Sequence, residues 1–564
     1  MEWSTACPDW PARFRARESI IPPPIFPERA AEALAVFKEL RIVDAPGSPT
    51  FGESCDQWVF DLVASIFGAY DSESGRRLIT EWFVLVPKKN SKSTIAAGIM
   101  MTALVLNWRQ SAEFSILAPT VEIANNSFGP ARDMCSERSD EELHALMHAQ
   151  SHVKTITHRE SNASLKVLAA DSNTVGGKKG VGTLVDELWL FGKVSNAENM
   201  LREATGGLVS RPEGFTIYLT TQSDEPPAGV FRQKLQYARD VRDGKIVDKR
   251  FVPVIYEFPE DMIKAGEHRN PDNWAMVNPN MGFSVDRSFL EWEYGKAENA
   301  GEESMRGFMA KHLNIEVGMS LRSDRWAGAD FWESCGDRLL TLELLLARCD
   351  VVMAGIDGGG LDDLLGLAIL GRDRTTGQWL HWGHAWAHRI ALERRKDTAA
   401  RLRDFQSDGD LTIVDKPGQD VAEVADILCR VRDAGLLPEK QGIGVDAAGI
   451  GDIVDELLSE ERGFVMADII GISQGWRMNG AIKTTERKLA GGELIHGGSR
   501  LMAWSVGNCK VEPKGNAVSI TKQASGSAKI DPVMALFDAA SLMALNPQPR
   551  AMSGCYDLGT VELA

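Results

Sequence analysis

Short apolar runs alternating with amphipathic stretches dominate the chain from about residue 50 to 255. "EWFVLVP", "AEFSILAP", "GTLVDELWL" and "GFTIYLTT" have the length and continuous apolar character of strands buried on both faces. The intervening stretches carry helical periodicity, so the pattern predicts an α/β domain with a mostly parallel sheet flanked by helices. Over residues 256–345 the strand signal fades into charged helical stretches such as "DRSFLEWEYGKAENAGEESMRGFMAKHLN", predicting a helical subdomain and linker. A second α/β series occupies 346–548: "DVVMAGIDGGG", "GLAILGRD", "QWLHWGHAWA", "LTIVDKP" and "GIGVDAAG" read as strands of a mixed sheet. A last helix from Pro532 places Val533, Leu536, Phe537, Ala540 and Ala544 on one face. Prolines and glycines punctuate residues 1–50, which read as an N-terminal arm, and residues 549–564 read as a flexible tail.

Size agrees with two large domains, because 564 residues exceed the roughly 250–300 that one hydrophobic core supports. The longest apolar stretch, Ile95 to Leu106, is shorter than the roughly 20 residues of a membrane span. The N-terminus has no cationic start followed by an apolar core, so the expectation is a cytoplasmic protein, neither secreted nor membrane-bound. Eight cysteines are scattered without a CxxC pair, which argues against a zinc site or a disulfide framework. A net charge of −17 argues against a surface that coats nucleic acid throughout and leaves room only for a confined basic channel.

The first candidate site follows the strand "EWFVLVP". A phosphate-binding loop connects a buried strand to a helix so that backbone N–H groups and the helix dipole meet the phosphates. "VPKKNSKST" has that context but carries Val86 and Ser91 where the usual pattern has glycine. Lys92 takes the place of the β/γ-phosphate lysine and Ser93 that of the hydroxyl ligand to Mg²⁺, with Lys88, Lys89, Asn90, Ser91 and Thr94 completing the cradle. Lys88 or Lys89 is also a candidate for stabilising transition-state charge. "GTLVDELWLFG" ends an apolar strand in two acids: Asp186 is expected to hold the Mg²⁺ shell and Glu187 to polarise the attacking water. "GFTIYLTTQSD" ends in Thr220, Thr221 and Gln222, placed to sense the γ-phosphate at a strand's carboxyl end. Each segment by itself also fits an ordinary turn or cap; the three together, in order, favour an ATPase.

The second candidate site is acidic. Asp357 ends "VVMAGID", Asp446 ends "GIGVD", and Asp531 precedes the last helix, so three distant carboxylates can converge. Such oxygen ligands suit two Mg²⁺ or Mn²⁺ ions that clamp a phosphodiester, the RNase H-like nuclease pattern. Asp531 followed by Pro532 is equally a helix cap. Asp363 and Asp538 are secondary candidates, and Asp538 lies roughly 10 Å along the helix from Asp531, too far for the same ion. His381 and His384, three apart in a strand, face opposite sides, and no Cys or carboxylate completes a set with His388, so the three read as structural.

With these residues in view, the chain resembles the large terminase subunit of tailed double-stranded DNA phages. The resemblance rests on Gln57 in "CDQWVFDLVASIFG", on "VPKKNSKST", "LVDEL", "LTTQS" and "FMAKHLN", and on Asp357, Asp446, "KID" and "GELIHGGSRLMAWSVGN" with His496 and Asn508. It implies a P-loop NTPase domain followed by an RNase H-like nuclease domain, with Gln57 on adenine. It further implies ATP-driven movement of double-stranded DNA into a procapsid and metal-dependent cutting of concatemers into genome units. Partners implied by the family are a small terminase subunit and the portal protein, with a homo-oligomeric ring during packaging, a monomer in solution, and residence in the host bacterial cytoplasm with transient docking on the procapsid. Arg202 and Arg211 are candidates for a trans-acting arginine. Ser91 is the departure from the family pattern and predicts slowed turnover. Two other readings stand beside this one: a nuclease with a degenerate, non-hydrolysing nucleotide-binding domain, and a DNA-binding structural component without catalysis.

Overall fold

The computed structural model describes residues 3–169, 180–194, 196–206, 210–316, 326–446, 451–514, 517–522 and 529–549. The tail expected at 549–564 lies outside them apart from Pro549. The chain divides into two compact units, Met1–Leu321 and Arg322–Ala564. Among the described residues no helix is long and apolar enough to cross a membrane.

Unit one is built on an eight-stranded sheet. Its order is Phe251–Ile255, Glu81–Leu85, Phe215–Thr220, Gly180–Val185, Glu113–Ala118, Ser164–Ala169, Thr155–His158 and Met147–Gln150. The first six strands run parallel and the last two antiparallel. Both faces are covered: every residue of Gly180–Val185 and Phe215–Thr220 is buried, which explains their continuous apolar runs. The edge strand "FVPVI" carries Pro253, which donates no ladder hydrogen bond and is tolerated at a sheet edge. The expected N-terminal arm is packed against this body, with Trp10, Phe14 and Phe37 in the same apolar cluster as Trp82 and Phe114.

The parallel pairing has one consequence for chemistry. Leu85 lies beside Thr220 and Val185 beside Tyr218, so the loops leaving these strands emerge at one edge of the sheet. The region expected as a single helical connector is divided. Residues up to 316 belong to unit one, where helices Arg287–Ala300 and Glu302–Leu313 close a small core around Trp274, Phe308 and Leu313. Residues from 326 onward belong to unit two.

Unit two has a seven-stranded mixed sheet. Cys349–Gly358, Leu364–Asp373 and Trp379–His388 form an antiparallel meander, extended by parallel strands Ile443–Asp446 and Ile469–Ile472 on one side and Leu411–Val414 on the other. Leu494–His496 pairs with the start of Trp379–His388. The last helix, Asp531–Met543, lies buried across the first two strands. It approaches so closely that a Cβ on Gly355 would stand 2.0 Å from the Ala535 carbonyl oxygen.

Gly355→Ala therefore has to push backbone against backbone. The variant is expected to destabilise unit two by about 3 kcal/mol. In a urea titration the unit-two transition should move to lower concentration, while near-wild-type stability would show that the helix can shift freely.

Candidate nucleotide and metal sites

The loop after Glu81–Leu85 opens directly into the helix Lys92–Val105. Ser91 adopts φ +52°, the left-handed region where a side chain crowds the backbone, so the chain keeps the glycine-type turn and bears its strain. Lys89 is also left-handed, at φ +74°. Lys88 and Lys89 are exposed and Ser93 and Thr94 half-buried. Lys92 is buried with its ammonium on the Pro87 carbonyl at 3.3 Å. Burial pulls this ammonium below its usual range, against the opposing charges of Glu187 and then Asp186.

The helical part of unit one holds the loop's shape. Asn90 is fully buried and donates to Asn278 Oδ1 at 2.8 Å while its own Oδ1 accepts the Asn280 N–H at 3.0 Å. Ser284 Oγ donates to the Lys89 carbonyl at 2.7 Å, and the Lys88 N–H reaches the Lys311 carbonyl at 2.8 Å. Expected as a phosphate contact, the Asn90 side chain thus serves the protein itself. Gln57 opens the helix Gln57–Phe67 at the surface, its amide donating to Asp61 at 2.8 Å. Its neighbour Trp58 donates to Asn280 Oδ1 at 3.3 Å, which links this helix start to the loop.

Asp186 stands at the end of Gly180–Val185, fully buried. Its Oδ2 accepts from Ser127 at 2.6 Å and from Ser93 at 3.5 Å, whereas Oδ1 has no partner. Burial pushes this carboxyl up to about 6, with the Ser127 hydrogen bond opposing and the Glu187 charge adding. A buried serine–aspartate pair with one orphaned oxygen fits a divalent cation beside the loop lysine. Glu187 is left-handed at φ +53° and accepts the Trp189 indole N–H at 2.6 Å. Thr220, Thr221 and Gln222 are buried on the adjoining strand end; Thr221 Oγ1 and Gln222 Nε2 lack partners. Lys311 donates from Nζ to the Gln222 carbonyl at 2.9 Å. Ser127, Asn278 and Asn280 escaped sequence reasoning, since each lies in a segment with no phosphate-loop or acidic signature; Trp189 and Lys311 lie inside "GTLVDELWLFG" and "FMAKHLN", but their side-chain contacts depend on the fold. Arg202 sits on an exposed helical face, and Arg211 Nε is buried without a partner.

In unit two, Asp357 ends the Cys349–Gly358 strand and Asp446 ends the parallel neighbour Ile443–Asp446. Gly358, at φ +88°, lets Asp531 approach: a Cβ there would lie 3.2 Å from the Asp531 Cβ and 2.1 Å from the Leu364 carbonyl. Burial, then the charges of Asp531, Asp446 and Asp363, push the Asp357 carboxyl up to about 8. Burial and the Asp363 charge push Asp531 up to about 7, and its Oδ2 is buried without a partner. Asp538 is fully buried; burial and then Asp357 push it up to about 9, and Gln474 donates to its Oδ1 at 3.1 Å while Oδ2 is orphaned. Asp363 is bonded to Lys529, which overcomes burial and holds its carboxyl below the usual range. Asn508 donates to the Lys529 carbonyl at 3.0 Å and so steadies that lysine.

Among the described residues no three acids, histidines or cysteines stand at direct ligand spacing. The acids face one another at the range of charge repulsion instead, and the orphaned oxygens of Asp531 and Asp538 fit a divalent cation that would relieve it. The histidines are structural: His496 stacks on Trp332 at 3.9 Å, His388 caps a helix, and His384 lies between Trp382 and Trp386.

Two family models match. One, described as the ATPase domain of the terminase large subunit, covers residues 57–240; the other, its endonuclease domain, covers 246–545. The chain belongs to the terminase large subunit family. It is an enzyme with ATPase and endonuclease domains, and its function is that of the phage DNA-packaging motor. This sets aside both the non-hydrolysing and the non-catalytic reading. As a terminase it acts on DNA and uses nucleotide and metal. Similar solved structures include the HK97 bacteriophage large terminase, at 19% identity and TM-score 0.46 over 91% of this chain and 99% of that one. The large terminase of a thermophilic bacteriophage in complex with ADP aligns at 13% identity and TM-score 0.30, over 83% and 94% of the two chains. The large terminase nuclease of the thermophilic phage G20c with bound magnesium aligns at 14% and 0.22, over 34% and 80%. No curated protein matches the chain.

Two outcomes follow from the strain and the buried charge. Ser91→Gly removes a left-handed side chain that costs roughly 1–2 kcal/mol. It is expected to raise the rate of phosphate release without lowering the melting temperature; a slower variant would show that the serine hydroxyl is used. For Asp357, the unfolded chain loses its proton near pH 4 and the folded chain near pH 8. The metal-free protein is therefore stabilised below pH 4 and loses that stability as pH rises towards 8. Asp357→Asn should leave metal-free stability unchanged at pH 4 and raise it by on the order of 2–4 kcal/mol at pH 8, read from urea midpoints at the two pH values.

Proposed function

We propose that unit one holds MgATP on the Lys88–Thr94 loop, with Lys92 on the β- and γ-phosphates and Ser93 with Asp186 holding the Mg²⁺ shell. The observation that carries this is the meeting of Ser93 and Asp186 at 3.5 Å beside the buried Lys92. Lys92, now resting on the Pro87 carbonyl, exchanges that bond for phosphate oxygens. Glu187 orients the attacking water and takes its proton, and Thr221 with Gln222 carries the state of the γ-phosphate into the strand end. Gln57 contacts adenine once its amide leaves Asp61. When bound, Mg²⁺ neutralises charge on the phosphates.

In unit two, Asp357, Asp446 and Asp531 hold two Mg²⁺ or Mn²⁺ ions, which when bound stabilise the attacking and leaving oxygens of a phosphodiester. Asp363 and Lys529 keep Asp531 in place through their ion pair. The working limits of the domains are 51–255 for the ATPase and 346–548 for the nuclease, with an arm at 1–50 and a tail at 549–564; within 256–345, residues up to 316 go with the first and those from 326 with the second.

The motor drives double-stranded DNA into a procapsid and cuts concatemers into genome units in the host bacterial cytoplasm. A homo-oligomeric ring docked on the portal, with a small terminase subunit choosing the DNA, reconciles the net charge of −17 with a polyanionic substrate, because only the ring's lining has to be basic.

Paired variants test the two sites. Lys92→Ala is expected to lower phosphate release at least 100-fold and to spare plasmid cutting in Mn²⁺; Asp357→Ala should do the reverse. Equal phosphate release from wild type and Lys92→Ala overturns the ATP site, and unchanged cutting by Asp357→Ala overturns the nuclease site.

A further inference from the structure

Glu187 reaches Trp189 across a geometry that a continuous helix forbids. Residues two apart on a helix point away from each other. Here Glu187 is left-handed, φ +53° and ψ +51°, and caps the four-residue helix Leu188–Phe191, so its carboxylate and the indole meet at 2.6 Å. Left-handed backbone at a bulky residue persists only where its surroundings hold it. The surroundings here are specific. The Trp189 backbone N–H donates to Thr220 Oγ1 at 3.0 Å, fixing the residue to the neighbouring strand end. The Lys311 ammonium lies 3.1 Å from the centre of the indole ring, and that same ammonium donates to the Gln222 carbonyl at 2.9 Å. Lys193 approaches the ring as well, at 5.5 Å.

The residue so held directly follows Asp186, which meets Ser93 of the phosphate loop at 3.5 Å. Among the charges acting on Lys92, that of Glu187 outweighs that of the nearby Asp186. Lys311 also reaches the loop through its backbone, since its carbonyl accepts the Lys88 N–H at 2.8 Å. One aromatic ring and one lysine thus tie together the proposed water-activating acid, the phosphate loop and the strand end at Thr220–Gln222.

We propose that Trp189 is a positioning residue for ATP hydrolysis: its indole N–H holds the Glu187 carboxylate towards the phosphate loop, and the Lys311 ammonium on its face keeps the ring in that place. The proposal rests on Glu187 as the group that activates water. Lys311 lies on the helix Glu302–Leu313, so a displacement of that helix frees the ring and lets the carboxylate turn away. Hydrolysis is then coupled to the position of the helical region through a cation–π contact rather than through a direct bond to the acid.

Trp189→Phe retains the ring for Lys311 and removes only the N–H. It is expected to lower kcat for ATP by roughly 10- to 100-fold with KM and the binding of a fluorescent ATP analogue unchanged, the latter also reporting an intact site. Lys311→Met should lower kcat in the same way, and Lys311→Arg, which keeps a cation on the ring, should restore most of it. In a Glu187→Gln background, the residual turnover should not fall further when Trp189→Phe is added, because the carboxylate the indole serves is gone. Wild-type kcat in Trp189→Phe, a loss that appears in KM instead, or an equal fold loss in the Glu187→Gln background overturns the proposal. Glu187→Gln with undiminished turnover overturns the assignment of Glu187 itself, an outcome distinct from a silent Trp189→Phe.

Discussion

Parallel backbone pairing among Glu81–Leu85, Phe215–Thr220 and Gly180–Val185 is the constraint on which unit one depends. Parallel strands have a common direction, so three loops that are remote in sequence must leave from one edge. The phosphate loop, the Thr220–Gln222 end and the Asp186–Glu187 end are neighbours for that reason alone. What the backbone arranges, side chains refine: Ser127 and Ser93 fix one oxygen of Asp186 and leave the other buried without a partner. Strain at Ser91 and Glu187 is confined to this edge, where the surrounding contacts are dense enough to hold it.

Unit two reaches a related result by a different route. A buried helix is pressed against the sheet across Gly355 and Gly358, and its two acids, Asp531 and Asp538, are driven towards Asp357 and Asp446. Carboxylates so placed raise one another's affinity for protons. The same crowding that stores unfavourable energy without a cation suits the cluster to a group with concentrated positive charge.

Much of this was legible in the chain because the relevant signals are local. The runs "EWFVLVP", "GTLVDEL" and "GFTIYLTT" are apolar on both faces, so their strand character and the polar residues at their ends could be read together. Asp357 and Asp446 were likewise visible as acids closing apolar runs. The strand Ile469–Ile472 was not singled out, being short, and neither were Ser164–Ala169 or the hairpin Cys509–Lys514 with Ala517–Lys522, being partly polar. Contacts that depend on tertiary packing were also hidden. Nothing near Asn278 or Asn280 announces that they close over a loop some 190 residues away in sequence, and "FMAKHLN" does not reveal that the Lys311 carbonyl meets Lys88. Nor does Ser91 reveal its left-handed turn, because serine is unremarkable at most loop positions and only the fold imposes φ +52°.

Asn90 has a further implication for how the enzyme meets its fuel. Both polar ends of its amide are engaged within the protein, by Asn278 and Asn280. The loop is consequently cast in advance, and the entropy of ordering it is settled once, during folding, instead of at every encounter. A motor that must reload many times along one genome gains from such a rigid receptacle: each cycle begins with the docking surface already formed, and recognition reduces to exchanging water and a few internal hydrogen bonds for phosphate.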